Sequence, residues 1–326
     1  MKESEIRNDA VFNEYLRLVA EEADSYFKDK ERFRLVPCVA CGCKDFHPQF
    51  KKQGFSYVLC DNCQTLYVNP RPFANDLLRF NNQSKSAAFW VNNFFLPMLE
   101  SRRQNIFKPR ARLLTQKLGE ANSATVGDIG AGYGIFLEEF KRINPGAKAT
   151  AVEPNKEMAQ ICRDKGFEVI DSAIEDVEGL DDKFDFLCAF ELLEHLYEPT
   201  VLFRKAYSML RAGGIFLLTT LNCQGFDIQV LWERSKNIYP PQHINFFNPH
   251  SLQEALGQCG FYCEEITTPG KLDWDIVEKA INDSVIGEAR FWPIFAKSVS
   301  LDGKEDFQLF LSRHGLSSHM MALARK

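Results

Sequence analysis

The sequence predicts an α/β fold: a parallel sheet with helices on both faces, preceded by a small metal-binding module and helical segments. Two observations carry this. From about residue 120, short apolar strands alternate with longer stretches of helical period, which implies parallel strands joined by helical crossovers. Before that, residues 36–70 hold paired cysteines, short apolar runs and turn residues, unlike either flank. A chain of 326 residues has room for one large domain or two ordinary ones.

Taken in order, residues 1–35 are charge-rich, with Val11, Phe12, Tyr15, Leu16 and Val19 spaced as on one helix face. Residues 36–72 form the metal module, closed by Asn69-Pro70-Arg71-Pro72, where two prolines break regular structure. Residues 73–118 read as a helical linker or cap with Pro97 and Pro109 at helix boundaries. Residues 119–326 form the main domain. In it, strands are expected at 125–129, 149–153, 167–170, 184–190 and 214–221. Helices are expected at 133–143, 156–165 and 201–210, and the tail suggests a closing helix around Phe291-Trp292-Pro293 and a last strand at His319–Leu323. In such sheets ligands bind beyond the carboxyl ends of the strands, so functional residues are sought there.

Composition sets limits. With 45% hydrophobic and 25% charged residues the chain reads as soluble and globular. It has no apolar run of roughly eighteen residues to span a membrane, and the opening MKESEIRNDA has no apolar leader core. Ten cysteines in such a chain point to bound metal and free thiols rather than disulfides, with the cytoplasm as the expected location. The net charge of −5 conceals an asymmetry: residues 1–118 carry 19 Lys and Arg against 13 Asp and Glu. Much of that excess lies in Arg102, Arg103, Lys108, Arg110, Arg112 and Lys117. Such a run reads as a solvated helix face, or as an attractor for an anionic substrate.

Cys38-Val39-Ala40-Cys41 and Cys60-Asp61-Asn62-Cys63 form two CxxC pairs separated by eighteen residues. Two tight turns that each present two thiolates supply the tetrahedral set zinc requires. Gly42 follows the first pair, where the turn favours positive φ. Two redox pairs or four unrelated thiols are the competing readings. Cys43 is close enough to compete, but the paired spacing favours Cys41.

Asp128-Ile129-Gly130-Ala131-Gly132-Tyr133-Gly134 joins the first strand of the main domain to its first helix. A dinucleotide fingerprint would put its third glycine at position 135, which is Ile135. The loop is instead GxGxG with an acid two residues ahead. A carboxylate there repels a pyrophosphate and suits a ligand with ammonium and sulfonium charges and no phosphate. Glu153, nineteen residues after Gly134, ends the second strand, placed to accept hydrogen bonds from both ribose hydroxyls. Asp171-Ser172-Ala173-Ile174 follows the third strand, where an adenine ring would lie, and Phe190 ends the fourth, beside a methionine moiety. Each alone reads equally as a surface acid or a turn; their order at successive strand ends marks a cofactor pocket.

The segments DIGAGYG, AVEPN, DFLCAFELLEH and LRAGGIFLLTT resemble the successive motifs of class I S-adenosylmethionine methyltransferases, over roughly residues 120–265. CxxC…CxxC closed by YVNPRP, with the later PQHINFF, is similar to a subgroup that joins a zinc ribbon to this domain and is associated with carbohydrate or secondary-metabolite modification. The resemblance implies a Rossmann-like class I methyltransferase sheet. It implies an S-adenosylmethionine pocket lined by Asp128, Gly130, Gly132, Glu153, Ala173, Ile174 and Phe190, with Gly134 closing the glycine loop.

Glu191-Leu192-Leu193-Glu194-His195 follows the fourth strand, next to where the methyl group must sit. Methyl transfer is an in-line displacement, so the enzyme aligns the nucleophile and, for a hydroxyl, removes its proton. His195 or His243 suits that base; a structural or helix-capping histidine is the equal alternative. ExxEH is also similar to the segment that binds a divalent cation in ubiquinone-biosynthesis O-methyltransferases and in small-RNA 3′-end 2′-O-methyltransferases, where a downstream histidine completes the site. By that resemblance Glu191, Glu194, His195 and His243 would hold a cation such as Mg²⁺ and bind vicinal oxygens. Similar segments occur in metal-free class I enzymes, so the metal-free base is the preferred expectation. The aromatic stretch 222–250 (Phe226, Trp232, Tyr239, Phe246, Phe247) either walls the acceptor pocket or is ordinary packing.

The leading functional expectation is O-methylation of a small molecule such as a sugar or sugar nucleotide. The alternative is an RNA methyltransferase using the ribbon and the basic segment; a pI of about 5.8 and the lack of a further RNA-binding module weigh against it. A catalytically silent cofactor-binding scaffold is a third reading, disfavoured by the intact glycine loop. No membrane partner is expected.

Overall fold

The computed structural model describes residues 2–119, 122–286 and 290–326. Helix α1 (Asp9–Tyr26) starts at Asn8, whose side chain accepts from the Val11 N–H, a normal N-cap. Phe12, Tyr15, Val19 and Ala23 fall on its buried face, as their spacing requires. Strands β1 (Phe46–Lys52), β2 (Phe55–Cys60) and β3 (Leu66–Val68) form an antiparallel meander. Gln53 and Gly54 both take positive φ at the first hairpin (49° and 77°), the conformation that matches strand twist.

Four short helices follow: α2 (Ala74–Gln83), α3 (Lys85–Phe89), α4 (Leu99–Arg102) and α5 (Lys108–Leu118). Pro97 lies in a turn, as expected of a breaker. Pro109 sits in the first turn of α5, at the boundary expected of it. The widened π turn Arg103–Phe107 leads directly into α5, and this looser turn carries the chain past a residue that cannot donate.

The main domain then runs β4 (Thr125–Ile129), α6 (Ile135–Ile143), β5 (Lys148–Val152), α7 (Lys156–Asp164), β6 (Glu168–Ile170), β7 (Phe184–Phe190), α8 (Pro199–Met209) and β8 (Leu210–Leu221). It continues through α9 (Phe226–Leu231), β9 (Asn245–Phe246), α10 (Pro249–Gln258), β10 (Tyr262–Thr267), α11 (Asp273–Asn282), α12 (Phe291–Ser298), α13 (Leu301–Arg313) and β11 (His319–Arg325). The seven-stranded sheet has the order β10-β11-β8-β7-β4-β5-β6. Strands β4 to β8 are mutually parallel, the Rossmann-like core the alternation predicts. β11 is inserted antiparallel between β8 and β10. β10 was not foreseen: Tyr262, Glu264 and Glu265 are exposed on this edge strand, so charge hides its alternation while blunting the edge. The chain reverses direction beside β4, between β5 and β7, and the crevice beyond those strand ends is the natural ligand position.

β9 belongs to the other sheet. It pairs with β3 through Leu66–Phe246 and Tyr67–Asn245, giving the order β1-β2-β3-β9. The cysteine module is thus stitched to the loop that follows β8. Its core is shared too: Cys38, Cys60 and Cys63 pack in one buried cluster with Ile129, Leu193 and Phe247. Arg71 completes the seam. Fully buried between the Tyr67 and Tyr197 rings, it donates to the carbonyls of Val68 (3.1 Å) and Tyr197 (2.6 Å) and to Asn245 Oδ1 (3.1 Å).

Candidate active site

The glycine loop is held open by its backbone. Gly130, Gly132 and Gly134 all have positive φ (74°, 54° and 66°), which L side chains resist. A Cβ on Gly134 would lie 3.0 Å from Cys162 Sγ and Phe167, whereas one on Gly132 would meet nothing within 4 Å. Gly134 is therefore fixed by helix packing and Gly132 by its conformation. The N–H groups of Gly130 and Ala131 donate to the Val152 carbonyl at the end of β5. The Glu153 carboxylate accepts from Gly132 N–H (2.8 Å) and Asn155 N–H (2.9 Å), and Asn155 caps α7.

Asp128 is buried at the end of β4, with Cys188 Sγ donating to its Oδ1 at 3.2 Å. Burial, with Glu153 nearby, pushes its carboxyl up to about 7; burial pushes Glu153 up as well. Two desolvated carboxylates facing one crevice favour a cationic ligand. Ile174 is buried and Ala173 precedes a short 3₁₀ turn after β6. Phe190, half-buried, meets Phe136 edge-on at 4.9 Å.

The basic segment is not simply a solvated face. Lys117 and Arg112 are exposed, but Arg103 pairs with Glu138 (3.1 Å) and Glu139 (2.6 Å) on α6. Arg110 lies 4.6 Å from the Phe190 ring centroid and donates to Glu191 Oε1 at 2.8 Å. Phe95 stacks on Tyr133 of the glycine loop, with centroids 5.3 Å apart. The helices before the main sheet thus lie against the glycine loop, α6 and the end of β7.

Beyond β7, Glu194, His195 and His243 bring one donor atom each within 4.8 Å of one another. His195 Nδ1 faces the Gln242 carbonyl (3.0 Å) and His243 Nδ1 faces the Asn237 carbonyl (2.7 Å). A carbonyl only accepts, so each Nδ1 carries the proton and each Nε2 keeps a lone pair. Burial depresses both imidazoles, His195 to about 4. Glu194 accepts from Thr220 Oγ1 at 2.9 Å, and burial beside Glu191 pushes it up to about 8. Glu191, grouped with these three by sequence, is engaged elsewhere: Arg110, Thr219 Oγ1 (2.7 Å) and His319 Nε2 (3.0 Å) surround its Oε1. Of the aromatic stretch, Tyr239 faces this cluster, its ring 3.9 Å from that of His243. Phe226 packs on Trp274, Trp232 on Phe50 and Phe247 on Phe203.

The four sulfurs of Cys38, Cys41, Cys60 and Cys63 also lie within 4.8 Å of one another, with 3.5 Å between Cys38 and Cys63 and between Cys41 and Cys60. A tetrahedral ion with bonds of about 2.3 Å spaces its sulfurs by about 3.8 Å, so the cage fits zinc. Cys43 turns to Asp45 instead, and Gly42 has φ +74°.

A sequence profile described as "Methyltransferase domain" matches residues 98–266, just over half of the chain. The chain belongs to this methyltransferase-domain family. A ubiquinone biosynthesis O-methyltransferase of Xanthomonas euvesicatoria is 34% identical over 161 residues, 45% of this chain and 66% of that protein. Its counterpart in Xanthomonas oryzae is 34% identical over 106 residues, 30% of this chain and 44% of that protein. The chain thus matches somewhat less than two thirds of these relatives' length. Among solved structures, the 1,6-didemethyltoxoflavin-N1-methyltransferase of Burkholderia thailandensis superposes with a TM-score of 0.47 at 15% identity, covering 86% of this chain and 99% of that one. Within the methyltransferase domain, the sequence reading overlooked Arg110 and His319 as partners of Glu191. The seven-residue spacing of Arg103 and Arg110, two turns of one helix face, was the available signal. His319 lies 128 positions from Glu191 and offers none.

Proposed function

We propose that this protein is an S-adenosylmethionine-dependent O-methyltransferase acting on a small molecule. The observation that carries the reading is the convergence of Glu194, His195 and His243 beyond the end of β7, the strand next to β4 and its glycine loop. Asp128, Glu153, Ala173, Ile174 and Phe190 would hold the cofactor with the loop Gly130–Gly134, and Arg110 offers its remaining donors to the cofactor's carboxylate. S-adenosylmethionine would supply the methyl group as a sulfonium.

Two imidazole lone pairs and a carboxylate face one another, all three acceptors once Glu194 ionises. Orientation of each ring by an Nδ1–H to carbonyl hydrogen bond is the usual support for a metal ligand. The set therefore fits a divalent cation better than the metal-free base expected from the sequence. Glu194, His195 and His243 would hold it; its chemistry is to lower the pKa of an acceptor hydroxyl. The side chains themselves orient that hydroxyl and exclude bulk water through Tyr239. Cys38, Cys41, Cys60 and Cys63 would hold a structural zinc. A sugar or sugar nucleotide stays within this reading as acceptor. RNA is less favoured, because Arg103 and Arg110 are committed inward.

The test is methyl transfer from labelled S-adenosylmethionine to catechols, sugars and nucleotide sugars, before and after gentle EDTA treatment, with zinc measured in the same sample. Loss of transfer on chelation with zinc retained, and recovery with Mg²⁺ or Mn²⁺, is expected. Full activity in the His195→Ala, His243→Ala double variant would remove both the cation and the base version.

A further inference from the structure

Among the arginines clustered before the glycine loop, Arg103 and Arg110 are paired with carboxylates. Arg102 is not paired among the described residues. Its Nε is buried without a hydrogen-bond partner there, and its guanidinium lies over the Phe95 ring at 5.4 Å. Arg7, from the turn before α1, repeats the pattern. It meets Glu3 and covers the Phe12 ring at 4.2 Å, yet its Nε also has no partner among the described residues. Phe95 stacks on Tyr133 of the glycine loop, while Phe12 touches Tyr239, the ring that lies on His243. Arg102, unpaired among the described residues, and Arg7, paired only with Glu3 among them, thus lie beside the rings that border the glycine loop and His243. Burial, with Arg110 and Arg7 nearby, lowers Arg102 to about 10 against the opposing pull of Glu191, which still leaves it charged at neutral pH. A half-buried cation with an unpartnered Nε and no directly paired carboxylate is costly, and a ligand oxyanion removes the cost.

We propose that Arg102, assisted by Arg7, binds an oxyanion group of the methyl acceptor, a carboxylate or a phosphate. This rests on the methyltransferase reading given above. The cofactor's own carboxylate would take Arg110, whose guanidinium lies over the Phe190 ring.

The test uses the zinc-loaded protein and two probes, benzoate and inorganic phosphate, titrated with and without saturating S-adenosylhomocysteine. The wild type is expected to bind at least one probe, and the preferred one identifies the oxyanion. Arg102→Gln should weaken that binding about ten-fold or more, and Arg7→Gln less, with S-adenosylhomocysteine affinity unchanged within about two-fold. Arg102→Lys should retain part of it. Circular dichroism confirms folding of each variant, and Arg102→Gln, which removes a cation with no paired carboxylate among the described residues, should leave Tm unchanged or raised. No probe binding in the wild type, or equal binding in wild type and Arg102→Gln, overturns the proposal. So does a loss confined to S-adenosylhomocysteine, which would put the cofactor's carboxylate on Arg102. If the wild type binds phosphate through Arg102 but not S-adenosylhomocysteine, the oxyanion site stands and the methyltransferase reading falls.

Discussion

Asp128 and Glu153 sit in one buried crevice, and their roles are separable. Glu153 already accepts two backbone N–H groups, from Gly132 and Asn155, so it fixes the glycine loop, and under the proposed function it would also offer oxygens to a ribose. Asp128 has a thiol for a neighbour and sits close to Glu153. Replacing Asp128 with Ala should weaken S-adenosylhomocysteine binding about ten-fold or more, since a hydrogen bond to a charged group contributes roughly 1.5–3 kcal/mol. Glu153→Ala should do the same and also loosen the loop, read as faster amide exchange at Gly132. Calorimetry showing wild-type affinity in both variants would refute the cofactor assignment. These positions were legible because strand ends, glycines and acids recur at short, ordered spacing. Arg71 was not: NPRP reads as a chain breaker, and nothing local reveals that Arg71 spans from Val68 to Tyr197.

At the scale of elements, the four-stranded sheet is the unexpected feature. The CxxC pairs were readable from spacing alone, but β9 lies some 180 residues from β3, and two residues of strand leave no periodic signature. The paired cysteines therefore suggested a separate metal module at residues 36–72, whereas its buried face is shared with the main domain. Two expectations follow. Zinc should be present at close to one equivalent, and Cys38→Ser with Cys60→Ser should lower Tm of the whole chain in a single transition. Elemental analysis finding no zinc, with four native thiols titrating freely, would reject the cage. The second concerns Arg71, whose removal strands three buried acceptors. Arg71→Ala should cost about 3–5 kcal/mol, in the range for breaking a buried charged group's contacts. Arg71→Lys should recover little, because a point charge cannot reach three acceptors as a fork does. Denaturant unfolding with an unchanged midpoint in Arg71→Lys would contradict this role.

Across the whole molecule, the carboxyl end of the chain is anchored by two buried acids. Asp273, at the start of α11, accepts from Ser317 Oγ (2.5 Å), Ser318 N–H (2.6 Å) and Gln308 Nε2 (2.7 Å), tying α11 to α13 and to the entry of β11. Asp227 on α9 lies against it, accepts from Asn237 Nδ2 at 2.9 Å, and has an Oδ1 without a partner among the described residues. Burial first, and Asp273 second, push Asp227 up to about 7, against an unfolded value of about 3.9. The native state therefore holds a proton that the unfolded chain has lost between those two values. Such a group stabilises the fold fully below about pH 4, and its contribution falls as pH rises to about 7, by up to about 1.4 kcal/mol per unit. Asn at this position keeps an acceptor for Asn237, supplies a permanent donor toward Asp273 and does not titrate. Asp227→Asn should therefore match the wild type near pH 4.5 and become progressively more stable than it up to pH 7, with the gap constant above. Asp128 and Glu194 titrate in the same direction in both proteins, so the difference between the two curves isolates Asp227. Urea midpoints measured from pH 4.5 to 8 that run parallel in wild type and variant would show that Asp227 ionises normally in the folded protein.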